Sequence, residues 1–151
     1  MPFGFIAEGL LFLYNFGMKR TSVWQEYNPN PVGRRVGDCS VRAITKALDL
    51  EWEDAFWLLC ANAAQMGDMP SSDAVWGSVL RMRGYYRTAI PNVCPTCYTV
   101  EDFCRDNPKG TYVLRTGSSV GHVVCVRDGV LYDSWDSSQE LPQFFWFKKE
   151  A

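Results

Sequence analysis

Histidine is what this chain has least of: His122 is the only one in 151 residues. Any imidazole chemistry must run through that position. Positive charge is not in surplus either. Lys and Arg total 15 against 17 Asp and Glu, a formal net charge of -2, and no basic stripe or charge block breaks the sequence. That argues against nucleic acid, whose phosphates call for clustered cations. Aromatic residues make up 15% of the chain. They fall at helical or alternating positions and read as core and groove lining, not as a base-stacking surface.

No uninterrupted apolar run is long enough to cross a bilayer. Residues 1–17 are apolar, but Glu8 and the glycines at 4, 9 and 17 interrupt them, and a span needs about twenty apolar residues. A basic start and a small-residue cleavage site are both missing, so no secretory signal is read. Met18-Lys19-Arg20 reads as an ordinary cytosolic N-terminus. The expectation is an extra stretch over 1–17 that is not native, then one domain over 18–151, with no membrane partner and a cytoplasmic location. No internal repeat, low-complexity tract or second domain is visible, and 47% apolar content suffices for one core.

Six cysteines are present, but their placement does not suggest a secreted disulfide framework. Cys60 and Cys104 fall in helical patterns and Cys125 in a strand, where a free cysteine acts as a small buried hydrophobe. A reducing compartment fits that usage. Cys94-Pro95-Thr96-Cys97 has zinc and redox spacing, yet no second pair or β-α-β context accompanies it. It reads as a plain loop with two thiols. No metal and no cofactor is expected.

What is present concentrates in two places. In the last third, Asp128-Gly129 is a strong type I′ hairpin signal, because both residues accept positive φ. Counting outward, Arg127 faces Val130, Val124 faces Asp133 and His122 faces Trp135. The period of two then puts His122, Val124, Asp133 and Trp135 on one face. An imidazole and a carboxylate one diagonal step apart form a base and its orienter. Asp136 falls on the opposite face.

The nucleophile candidate lies upstream, in Gly37-Asp38-Cys39-Ser40-Val41-Arg42-Ala43-Ile44. A helical stripe of Ala43, Ile44, Ala47 and Leu48 begins there, so Cys39 sits in a first turn, with Asp38 or a neighbour as cap. Unpaired N–H groups and the macrodipole favour a thiolate at that end. Paired with an imidazolium, such thiols reach pKa values of roughly 3.5–7.5. Asp38 opposes the thiolate unless its carboxylate is turned into capping.

A cysteine opening a helix, a later histidine opening a strand and Asp133-Ser134-Trp135 on the next strand resemble the papain-like cysteine peptidase superfamily. Papain-type enzymes carry Asn-Ser-Trp there, the Trp shielding the orienter–His hydrogen bond. Asn28-Pro29-Asn30-Pro31, Gly37-Asp38-Cys39, Arg42-Ala43 and Tyr132–Ser138 together resemble small papain-like proteins of bacteria and their phages. The resemblance covers about residues 25–148. It departs from papain in lacking the Gln a few residues before the Cys, where Pro31-Val32-Gly33-Arg34-Arg35 stands. The Cys39 N–H supplies one oxyanion donor on this reading, and Asn28 or Asn30 is the candidate for the second. A phage-encoded chain of this kind would work in the host cytoplasm.

Helical stripes predict further helices from Trp52 to near Gly67 and from Ser71 or Ser72 to Gly84. Residues 85–90 read as short strand or loop. Thr99 with Asp102 reads as a capping box for a short helix, and strands are expected over 111–116, 122–127, 130–135 and 143–148. Helices followed by an antiparallel meander make an α+β domain. The resemblance implies a thiol hydrolase acting on a peptide, isopeptide or related amide through Cys39, His122 and Asp133, with transfer to an amine as a variant. The alternative is a peptide-binding module or phage effector on the same fold without turnover. The expected partner is a peptide or protein; oligomeric state is not legible.

Overall fold

The computed structural model describes residues 22–117 and 120–149; the stretch 1–17 discussed above lies outside the described residues. Within these residues four helices and six strands form a mixed α+β fold. The strands are β1 (Trp24–Glu26), β2 (Tyr85–Ala89), β3 (Thr111–Thr116), β4 (His122–Arg127), β5 (Val130–Asp133) and β6 (Pro142–Lys148). The helices are α1 (Cys39–Leu48), α2 (Trp52–Met66), α3 (Asp73–Met82) and α4 (Val100–Asp106).

The sheet order is β1-β5-β4-β3-β6-β2. Its centre is the antiparallel meander expected, but the whole is mixed, because β1 lies parallel to β5. That corrects the antiparallel sheet read from the sequence. Without β1, β5 would be an edge with a row of unpaired backbone groups. Leu131 N–H donates to Val23 O and Tyr27 N–H to Asp133 O, closing that edge beside the candidate orienter.

Local chemistry explains the boundaries. Asp128 and Gly129 take φ of 50° and 74°, the two positive values a type I′ turn needs, and Arg127 pairs with Val130. Ser72 caps α3 by accepting from Ala74 N–H, and Thr99 with Asp102 forms a full capping box on α4. Gly67 ends α2 at φ 65°. Residues 85–89 form a full strand paired with β6.

Alternation along the strands feeds two cores. Val113, Val123 and Cys125 face α1, α2 and α3, packing with Ile44, Leu59 and Leu80. Leu114, Val124, Val126 and Leu131 face α4 and its Phe103. Ile44, Leu59 and Leu80 are fully buried, each contributing about 1.5–3 kcal/mol. This sandwich fixes the start of α1 against the start of β4.

Cys94 and Cys97 form a disulfide, where two free thiols were expected. The tight turn brings their Cα atoms to 4.6 Å, inside the range a disulfide spans. The free cysteines are Cys39, Cys60, Cys104 and Cys125.

Candidate active site

Cys39 is the first residue of α1, where backbone N–H groups have no intrahelical acceptor. His122 opens β4 and Asp133 closes β5. The hairpin register brings the last two together: His122 Nε2 lies 2.6 Å from Asp133 Oδ2. With Nε2 on the carboxylate, Nδ1 is the nitrogen left for Cys39, which lines the same cleft as His122. Trp135 packs its indole against the imidazole, ring centroids 5.2 Å apart, and stays 45% exposed. The Trp24 indole N–H donates to Asp133 O from the neighbouring strand.

Asp133 is 1% exposed and its carboxylate is surrounded by donors. Ser137 Oγ donates to Oδ2 at 2.6 Å, the Ser134 N–H to Oδ1 at 2.7 Å and Arg42 Nη2 to Oδ1 at 3.0 Å. Burial works against its charge, but the hydrogen bonds from His122 and Ser137 and the charges of His122 and Arg42 outweigh it. Its pKa is held below the ordinary carboxylate value. Asp136 is exposed, and among the described residues its side chain accepts from the Ser138 N–H and does not reach His122.

Asp38 does not cap α1 with its side chain. Its carboxylate is buried, bonded to Arg42 Nη1 and to the Trp52 indole N–H at 2.8 Å. The guanidinium of Arg42 therefore bridges two buried carboxylates, Asp38 beside Cys39 and Asp133 behind His122. The charge that sequence reasoning identified as opposing a thiolate is neutralised by Arg42 instead of by the helix end. Arg42 and Ser137 are the members of the site that reading missed. The spacing of Asp38 and Arg42, four apart at the start of a buried helix, is the signal that pointed to the first.

Burial raises the Cys39 thiol, but hydrogen bonds from His122 and the Val123 N–H, with the charges of His122 and Arg42, more than reverse this. The net shift is downward. For His122, burial disfavours the charged ring, while hydrogen bonds and charges from Asp133 and Cys39 favour it, and its pKa is pushed up to about 9. The two shifts run in opposite senses, the direction that favours a thiolate–imidazolium pair. The other buried thiols behave conversely: burial pushes Cys104 and Cys125 up to about 12.

The pair opens onto a cleft of about 490 Å³ whose walls include Gly37, Gly121, Trp135, Asp73 and Arg115. Gly121 has φ 71°, and a Cβ there would stand 2.5 Å from Arg115 Nη2, so the residue before His122 has to be glycine-like. Asn28 and Asn30 are not in this cleft. The Asn28 amide donates to Gly33 O and Arg34 O, and Asn30 Oδ1 accepts from the Val32 and Arg34 N–H groups. Such short-range bonds to a neighbouring backbone hold the loop. They take both side chains out of the oxyanion role expected of one of them.

A surface hollow of about 1020 Å³ lies at the other end of the sheet around Lys109, Asp128 and Lys148, and no cysteine or histidine lines it. No group of residues arranged to hold a metal ion exists among the described residues, and no helix there is long and apolar enough to cross a membrane. No protein-family model, curated protein or solved structure matches the chain.

Proposed function

We propose that this chain is a thiol hydrolase of the cysteine-peptidase type, papain-like in its arrangement of a helix-borne cysteine against a sheet carrying histidine and aspartate. The observation that carries this is the short His122–Asp133 hydrogen bond, on a ring whose other nitrogen faces a cysteine at a helix start.

The chemistry follows from the protonation state. The Cys39 thiolate attacks an amide carbonyl carbon, and the electron pair of the C=O bond moves to oxygen. The Cys39 backbone N–H and the α1 dipole stabilise that oxyanion. As the C–N bond breaks, the His122 imidazolium gives its proton to the leaving amine, leaving a thioester on Cys39. Water, deprotonated by the now neutral ring, attacks the thioester; the acid departs and the ion pair is restored. An amine in place of water gives transfer. Asp133 holds the ring's orientation and favours its charged form throughout, while Trp135 limits water beside that hydrogen bond.

A peptide or protein is the substrate class this reading favours. The test is reaction of the folded chain with a peptide vinyl sulfone, followed by peptide mapping. Modification at Cys39 that vanishes in His122→Ala is the expected result. Modification of Cys39 only after denaturation would replace the hydrolase with the non-catalytic binding module.

A further inference from the structure

The cleft at Cys39 does not end at Asp73. That residue also lines a second hollow of about 310 Å³, between α3 and the outer strands, and a third of about 270 Å³ adjoins it around Arg81, Arg87 and Trp146. The hollows follow one another along α3: Asp73 lines the first two, and Arg81, Arg87 and Trp146 line the last two. Strand pairing gives its floor: Arg115 on β3 pairs with Phe144 on β6, and Arg87 on β2 pairs with Trp146. Gly77 on α3 supplies the opposite wall without a side chain, because a Cβ there would meet the Trp146 ring at 2.9 Å.

The charges along this path are not balanced. Arg87 stacks its guanidinium over the Phe144 ring at 4.0 Å and Arg81 lies over the Trp146 ring at 5.5 Å. Neither has a carboxylate partner among the described residues. The one acidic side chain lining these hollows, Asp73, is already held by Arg115 at 3.3 Å and by the Trp76 indole N–H at 3.2 Å. Two cations without carboxylate partners in one groove, in a chain of net charge -2, match an anionic ligand. The rings beneath the guanidiniums fix them in place, so less side-chain entropy is lost when an anion binds.

We propose that the cleft continues into an anion subsite framed by Arg81 and Arg87, and that the chain binds an extended acidic polypeptide along α3 and β6. That this polypeptide is also the substrate rests on the hydrolase reading; the subsite itself does not. Asp73 to Arg81 is eight residues of α3, a rise of about 12 Å. An extended chain covers that in about four residues, so the preferred Asp or Glu lies about four to six residues from the scissile bond. A nucleic acid fits less well, since two isolated cations do not make a phosphate-tracking stripe.

The test uses the Cys39→Ala chain and fluorescence polarisation of a fluorescein-labelled dodecapeptide of alternating alanine and glutamate. Binding is expected at low salt, with at least tenfold weaker affinity for the lysine counterpart and progressive loss as salt is added. Arg81→Ala/Arg87→Ala should weaken it at least tenfold, and Arg81→Lys/Arg87→Lys should restore part of the loss. No measurable binding, equal affinity for the lysine peptide, or tighter binding of an oligodeoxythymidine of the same length would overturn the subsite. Glutamate-peptide binding by a chain whose native Cys39 refuses the vinyl sulfone would keep the subsite and remove the hydrolase. Cleavage of a mixed peptide library with no acidic preference would do the reverse.

Discussion

Replacing Arg42 with methionine isolates what the buried guanidinium does. The side chains involved are 6% exposed for Arg42, 5% for Asp38 and 1% for Asp133. Removing one partner of a buried ion pair costs about 3–5 kcal/mol, because the charge left behind is desolvated and uncompensated. Here two carboxylates are left, but each keeps other donors: Trp52 on Asp38, and Ser137, His122 and the Ser134 N–H on Asp133. The expected loss at pH 7 therefore stays within that range, near 4 kcal/mol, or about 10–15 °C in Tm for a chain of this size. Urea denaturation followed by tryptophan fluorescence measures it. The sign with pH is fixed by Asp133, whose folded-state pKa is depressed partly by Arg42. Its contribution is present above the unfolded carboxylate value and lost as pH falls through the folded one. Without Arg42 the depression is smaller, so the gap between native and variant chains holds from pH 7 down to about pH 4 and narrows below that, as Asp133 of the variant takes up its proton first. A loss under about 1 kcal/mol at pH 7, or a gap that widens on acidification, would refute the bridging role. Arg42→Lys keeps the charge but not the fork, and should fall between the two.

The two aspartates near the hairpin should separate cleanly. Asp133→Ala should slow reaction of Cys39 with a peptide vinyl sulfone by about 10²-fold or more, Asp133→Asn by less, and Asp136→Ala hardly at all. Gly121→Ala forces a Cβ into the φ 71° conformation and toward Arg115; a loss of about 1–2 kcal/mol in urea denaturation is expected, with slower Cys39 alkylation. The raised pKa of His122, about 9, stabilises the fold fully below the unfolded value near 6.5 and progressively less as pH rises through 9. The stability difference between the native chain and His122→Gln should shrink across that interval, and a difference that grew with pH would reverse the assignment.

Much of the site was legible because its determinants are local. Asp128-Gly129 sets the hairpin register, and register alone carries Asp133 to His122 and leaves Asp136 outside. The start of α1 at Cys39, the Thr99–Asp102 box and the buried stripes of α1 and α2 follow from capping and period. What was not legible depends on distant partners. Nothing in Trp24-Gln25-Glu26 announces a parallel pairing with residues more than a hundred positions away. Asp38 looked like a cap because caps are local, whereas its real partners include Trp52 on the next helix. Arg42 sits on the buried side of α1, where period alone predicts an apolar residue; Asp38 four positions before it is a local hint, but the second carboxylate, Asp133, comes from a distant strand. Asn28 and Asn30 fell to the opposite error, since local backbone bonds won over the long-range role.

The claim that Cys39 and His122 form an ion pair is tested most directly by alkylation of the folded protein with iodoacetamide, each cysteine quantified by mass spectrometry as pH is varied. Cys39 is expected to be the fastest of the four free thiols at about pH 5.5, where ordinary thiols are protonated. Its advantage should disappear in His122→Ala. Equal rates at Cys39 and Cys60, or an acid-side rate that survives loss of the imidazole, would contradict the account.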